Sequence, residues 1–129
     1  MADLEKLTVN LTPVDVGQIE LLVNQGFYAN RAEFIRVAIR DQLAKHGDVV
    51  REAATRQSMV VGAAIYDRET LEKLREAGRS VSLRVIGLLV VGNDVPPKLA
   101  EATIESVTVH GVFKASAAVK QALADRTTK

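Results

Sequence analysis

Lys6-Leu7-Thr8-Val9-Asn10-Leu11, followed at once by Thr12-Pro13, is the stretch on which the reading of this chain turns. Leu7, Val9 and Leu11 alternate with Lys6, Thr8 and Asn10, the two-residue period of a strand with one apolar and one polar face. Thr12-Pro13 ends that strand and starts a helix, because Thr is a good N-cap and the N–H missing from Pro costs nothing at the first helical position. Val16, Ile19, Leu22 and Val23 follow at helical spacing, and Gly26 supplies the left-handed residue that closes such a segment. A second helix is expected from Asn30, whose spacing to Glu33 is that of a capping box, with Ile35, Ala38, Ile39 and Leu43 as its apolar stripe up to Lys45 and His46.

One strand and two helices in about 40 residues cannot stand alone. The strand has no backbone partner, and so short a piece buries too little apolar area to offset its ordering entropy. The simplest remedy is a twofold dimer in which the strands of two chains pair antiparallel and four helices close over them.

The same residues carry a resemblance. Lys6 to Leu11, the Thr12-Pro13 start, and Gly26-Phe27-Tyr28-Ala29-Asn30-Arg31-Ala32-Glu33-Phe34-Ile35-Arg36 resemble the ribbon-helix-helix (CopG/Arc/MetJ-like) family of bacterial DNA-binding proteins, in its repressor and antitoxin branch. The resemblance covers residues 5–46, and nothing of the kind is carried over to residues 47–129. It implies a homodimer bound to double-stranded DNA, working in the bacterial cytoplasm. A two-stranded ribbon fits the major groove, and with Leu7, Val9 and Leu11 in the core its outward side chains Lys6, Thr8 and Asn10 become the base readers. Lys6 can donate to guanine, Asn10 can pair both ways with adenine, and Thr8 can serve a base or the thymine methyl. The N-terminus of the second helix attracts phosphate through its free N–H groups and macrodipole. In the family this turn clamps the DNA backbone, which assigns Asn30 and Arg31 to phosphate binding. Arg36 and Arg40, four apart near Glu33, read instead as a solvated, internally paired face.

Beyond a polar linker at residues 48–57 the sequence changes character. Val60-Val61-Gly62-Ala63-Ala64, Val85-Ile86-Gly87-Leu88-Leu89 and Val109-His110-Gly111-Val112-Phe113 share a β-rich run with a central Gly, at steps of 25 and 24 residues. Each precedes a helix-like piece: Asp67 to Ala77, Pro97 to Thr103, and Ser116 to Arg126, with Ser116 as an N-cap. Aligned on the Gly, Leu71, Val95 and Val119 fall eight or nine positions later, and Leu74, Leu99 and Leu123 all fall at twelve. The fold class expected is thus α+β: a ribbon-helix-helix unit at 1–47, then a small α/β domain at 58–129 of three βα solenoid-like repeats with parallel strands. A compact βαβαβα sandwich fits the same pattern. This second domain is read as an oligomerisation unit, able to build assemblies larger than a dimer, or as the receiver of a protein or small-molecule effector.

Composition sets the outer limits. With 47% hydrophobic and 26% charged residues the chain is globular, and without Cys it has neither disulfides nor Cys-based zinc sites. Its longest apolar run, Val85 to Val91, is far short of a membrane span, and Asp3 and Glu5 are unlike the basic start of a signal peptide, so a soluble cytoplasmic protein is expected. A formal charge of +1 means that DNA binding must come from placement rather than bulk charge. No catalytic constellation, metal site or cofactor site is recognisable. His46 and His110 lie 64 residues apart, Val91-Gly92-Asn93-Asp94 reads as a turn, and the serines have no nucleophile setting. The reading that best joins these observations is a dimeric, sequence-specific transcriptional regulator acting as a repressor. The alternatives are the antitoxin of a toxin–antitoxin pair, whose tail would be polar and fold on contact, and a protein-interaction scaffold that uses the ribbon only to dimerise.

Overall fold

A computed structural model describes residues 4–128, so that Met1 to Asp3, with the Asp3 of the N-terminal charge reading, and Lys129 lie outside the described residues. The chain divides into two units, Met1–Asp48 and Val49–Lys129.

The first unit holds two helices, α1 (Pro13–Asn24) and α2 (Arg31–Lys45). Thr12 caps α1 through its Oγ1, which accepts from the Asp15 N–H at 3.2 Å, and Pro13 occupies the first turn. Gly26, with φ +85°, takes the left-handed turn that lets the chain leave α1. Residues 4–12 form no regular secondary structure, contrary to the strand expected at 6–11. The reason is physical: a strand exists through hydrogen bonds to a neighbouring backbone, and a single copy of this chain offers this segment none. Both side-chain rows of the segment are exposed, with Leu7 at 85%, Val9 at 72% and Leu11 at 44% of full exposure.

The stretch expected as a linker, 48–57, is instead helical: α3 runs Gly47–Arg56 and buries Ala54. Val49, Val50, Ala53 and Ala54 recur at one-turn spacing, and that period outweighs the polar residues between them. There follow β1 (Val60–Tyr66), α4 (Arg68–Glu76), β2 (Val81–Val91), α5 (Pro97–Thr103), β3 (Ile104–Lys114), α6 (Ala117–Ala122), a short 3-10 turn at Ala124–Arg126, and β4 (Thr127–Thr128). The strands form one sheet in the order β1-β2-β3-β4, parallel throughout. One row across it is Gly62, Gly87 and Gly111, paired strand to strand.

Leu83, Val85, Leu89 and Val91 of β2 and Ile104, Val107 and Val109 of β3 point into a core closed by Leu71 of α4, Leu99 and Ala100 of α5, Val119 of α6 and Leu123 just after it. Of the six positions aligned in the sequence, Leu71, Val95, Leu99, Val119 and Leu123 are buried, and Leu74 packs partly buried against them. Each fully buried Leu contributes about 1.5–3 kcal/mol relative to exposure. The helices start on side-chain caps where the sequence offers them. Asp67 accepts from the Thr70 N–H at 2.9 Å and Ser116 from the Val119 N–H at 3.2 Å. Hydrogen bonds from Thr70, its backbone N–H first, hold the Asp67 carboxyl below its ordinary value of 3.8, so this cap is complete above that pH and is lost as pH falls through the lowered value. At the far edge Arg126 donates from Nη1 to the carbonyls of Glu101 (2.8 Å) and Ile104 (2.9 Å), and β4 pairs with Val107 and Thr108.

The glycine row is sterically obligatory only where a strand lies beside it. A Cβ on Gly87 would stand 2.1 Å from the Gly62 carbonyl oxygen, and one on Gly111 2.1 Å from that of Gly87, whereas a Cβ on Gly62 meets nothing within 4 Å. All three have strongly positive φ, between +126° and +136°. Gly62→Ala is therefore expected to cost only the backbone strain, roughly 1–3 kcal/mol, while Gly87→Ala and Gly111→Ala cost clearly more because a neighbouring carbonyl must also move. Thermal denaturation of the three variants gives the comparison; equal losses would contradict this assignment.

Candidate nucleic-acid interface

Lys6, Thr8 and Asn10 are all solvent-exposed, on the extended segment that leads into α1. Leu7, Val9 and Leu11, from the same segment, line an open apolar groove of about 710 Å³ together with Ile19 and Leu22 of α1 and Ile35 of α2. Among the described residues of this unit Ile19 alone is buried, at 8% exposure, while Leu21, Ile35, Ile39 and Leu43 are between 42% and 61% exposed. Ordering the backbone costs about 1–2 kcal/mol per residue, and a single buried Ile returns no more than about 3 kcal/mol. The groove is the apolar face of an incomplete core.

The start of α2 is built in detail. Asn30 has extended backbone and its Oδ1 accepts from the Glu33 N–H at 2.8 Å. Glu33 reaches back to the N–H of Ala29, one residue before the position expected for a capping box, so both ends of the turn are closed by side chains. The Tyr28 ring meets Phe34 edge-on, with centroids 5.0 Å apart and planes at 85°, and braces the turn from inside. Beyond this closure the N–H groups of Arg31 and Ala32 precede the first intrahelical bond, from Phe34 N–H to the Asn30 carbonyl, and lie at the positive end of the helix.

Arg31 stands beside these groups. Its Nη1 lies 3.5 Å from Oε1 of Glu20 on α1, with both side chains more than half exposed, so the attraction is weak and screened. Glu20, Val23, Asn24, Ala29, Asn30 and Arg31 outline a shallow depression at this corner. The structure thus places the two predicted phosphate-binding residues, neighbours in the chain, at the exposed start of α2. It adds Glu20, which periodicity alone does not single out because its partner lies eleven residues away on another helix.

Arg36 and Arg40 are exposed, and the Glu33 carboxylate near them is turned to Ala29 instead. His46 caps the C-terminal end of α2 and His110 is exposed on β3. Among the described residues no group of three or more His, Cys, Asp or Glu side chains could hold a metal ion, and no helix is long and apolar enough to cross a membrane.

Comparison with known proteins gives one finding. A family model described as the ribbon-helix-helix transcriptional regulator family matches residues 2–120. The family's pattern therefore runs far beyond residues 5–46, through most of the parallel sheet, and the second unit is part of what the family shares. No curated protein and no solved structure gives a significant match.

Replacing Asn30 by Ala leaves the Glu33 N–H without its acceptor and is expected to cost about 1 kcal/mol of stability, read from chemical denaturation with unchanged helical signal outside the transition.

Proposed function

The chain belongs to the ribbon-helix-helix transcriptional regulator family, and on that premise we propose that it is a dimeric, sequence-specific repressor. In this reading it reads the major groove through a two-stranded ribbon made from residues 6–11 of two copies. The observation that carries this reading is the exposed row Leu7, Val9 and Leu11 above an open apolar groove, in a unit where Ile19 alone is buried among the described residues. A second copy supplies what is missing: a backbone partner for the extended segment and an apolar cover for the groove. Pairing the two segments turns Lys6, Thr8 and Asn10 outward together, spaced two residues apart along each strand. Asn30 and Arg31 then grip phosphates on either side, setting register while the ribbon reads bases. In this reading the protein works on double-stranded DNA in the bacterial cytoplasm, and occupancy of the operator is itself the repression.

The unit from Val49 onward is proposed as a stack of three βα repeats that adds a second contact between copies. Its dense core weighs against the antitoxin reading, which calls for a polar tail that folds only on its toxin. A pure scaffold would bind no duplex at moderate salt.

The test is selection of bound duplexes from a random pool, followed by titration of the selected site. Asn10→Ala should lower affinity for that site by about 1–3 kcal/mol and relax preference at one base position. Arg31→Ala should weaken all sequences alike and reduce the salt slope by about one. Wild-type binding by both variants would remove the proposed surface. Val9→Asp should abolish the dimer and the fold of the first unit together, because it places an unpaired charge in the shared core; a dimeric Val9→Asp protein with that unit folded would contradict that core.

A further inference from the structure

Glu20 is an acid placed where its own helix does not favour one. It lies in the C-terminal half of α1, where the helix macrodipole gives a carboxylate no support, and α1 contains no basic residue to pair with it along the helix. Its ion pair reaches across to α2, where Arg31 Nη1 stands 3.5 Å from Glu20 Oε1. That contact is single and open to water, with the side chains 63% and 59% exposed, so it adds little to stability. What it does change is the charge presented at Arg31.

The surrounding charge makes that change count. Among residues 4–46, Lys6, Arg31, Arg36, Arg40 and Lys45 are matched by Glu5, Asp15, Glu20, Glu33 and Asp41. No bulk surplus draws a polyanion to this unit, so its grip on a phosphate backbone depends on which cations are free at the point of contact. Glu33 is committed to the Ala29 N–H, whereas Glu20 shares a shallow depression with Asn24, Asn30 and Arg31.

We propose that Glu20 restrains DNA binding by occupying Arg31 in the free protein, so that a backbone phosphate must displace its carboxylate and then lie beside it. This rests on the reading of Arg31 as a phosphate contact and names what regulates that contact.

A carboxylate in this position has two opposite effects, and their sizes decide between them. It can hold the Arg31 side chain ready for its ligand, but one contact between exposed groups does little to restrict so long a side chain. It also repels the ligand. A phosphate oxygen bound to Arg31 at about 2.8 Å lies within roughly 6 Å of the carboxylate, where repulsion alters affinity about threefold even at the dielectric constant of water. A dimer has two such corners, and DNA brings several phosphates to each. Because backbone contacts carry no sequence information, the restraint falls on every duplex alike. It lowers retention on arbitrary DNA and leaves discrimination to Lys6, Thr8 and Asn10.

The test uses the full chain, a duplex selected from the random pool, and a duplex of arbitrary sequence and equal length. Glu20→Gln keeps the size and helix propensity of the side chain and should leave thermal denaturation unchanged. It should tighten binding to both duplexes by about three- to tenfold at low salt, with the gain shrinking as salt is raised. In an Arg31→Ala background the same substitution should change affinity by less than about twofold, because no phosphate is then drawn beside it. Unchanged or weaker binding by Glu20→Gln overturns the proposal, weaker binding being the mark of a positioning role. So does an equal gain with and without Arg31, which is a general effect of net charge. If Arg31→Ala weakens DNA binding while Glu20→Gln leaves it unaltered, the restraint alone fails. If the wild-type protein binds no duplex, the DNA-binding reading fails and the restraint with it.

Discussion

Six residues of backbone without a hydrogen-bond partner govern the first unit of this protein. Lys6 to Leu11 has the period of a strand and the composition of a half-buried one, yet a strand is a relation between two backbones and one copy contains only one of them. The consequence spreads to the helices. α1 and α2 are well capped, but their apolar stripes face an open groove and, among the described residues of the unit, only Ile19 is buried. Local stability and tertiary stability are separated here: capping fixes where the helices begin, and burial, which would hold them together, waits for an external surface.

The second unit obeys a different constraint. Its strands are parallel and neighbours in sequence, so every connection carries a helix back across the sheet, and all three helices contribute to one core. The close approach of the three central glycines fixes the register of β1, β2 and β3 together. Leu71, Leu99 and Leu123 are fully buried as a result, each delivered by a helix to the equivalent place beneath its own strand.

Much of this is legible in the residues, and the exceptions have causes. Thr12, Asn30, Asp67 and Ser116 announce helix starts because capping is local chemistry within four residues. The Gly-centred runs announce their pairing because their spacing matches the length of a strand, a helix and two turns. α3 is hidden by the polar residues between Asp48 and Ser58, although Val49, Val50, Ala53 and Ala54 keep helical time. β4 could not be seen, since two threonines acquire strand character only from Val107 and Thr108 beside them. At the candidate interface the Asn30 cap is legible in the same way. Glu20 escapes such reading because its meeting with Arg31 depends on the angle between two helices.

The glycine row also limits how this sheet can vary over time. A residue inserted into β2 ahead of position 87 would slide a side chain into the space taken by the Gly62 carbonyl, 2.1 Å from where a Cβ would sit, and leave the glycine stranded one step away. Neighbouring strands could follow only by making the same change together. Drift in length is thus confined to the turns, such as Gly92 to Val95 or Ala77 to Ser80, while the strand interiors must be inherited as a matched set.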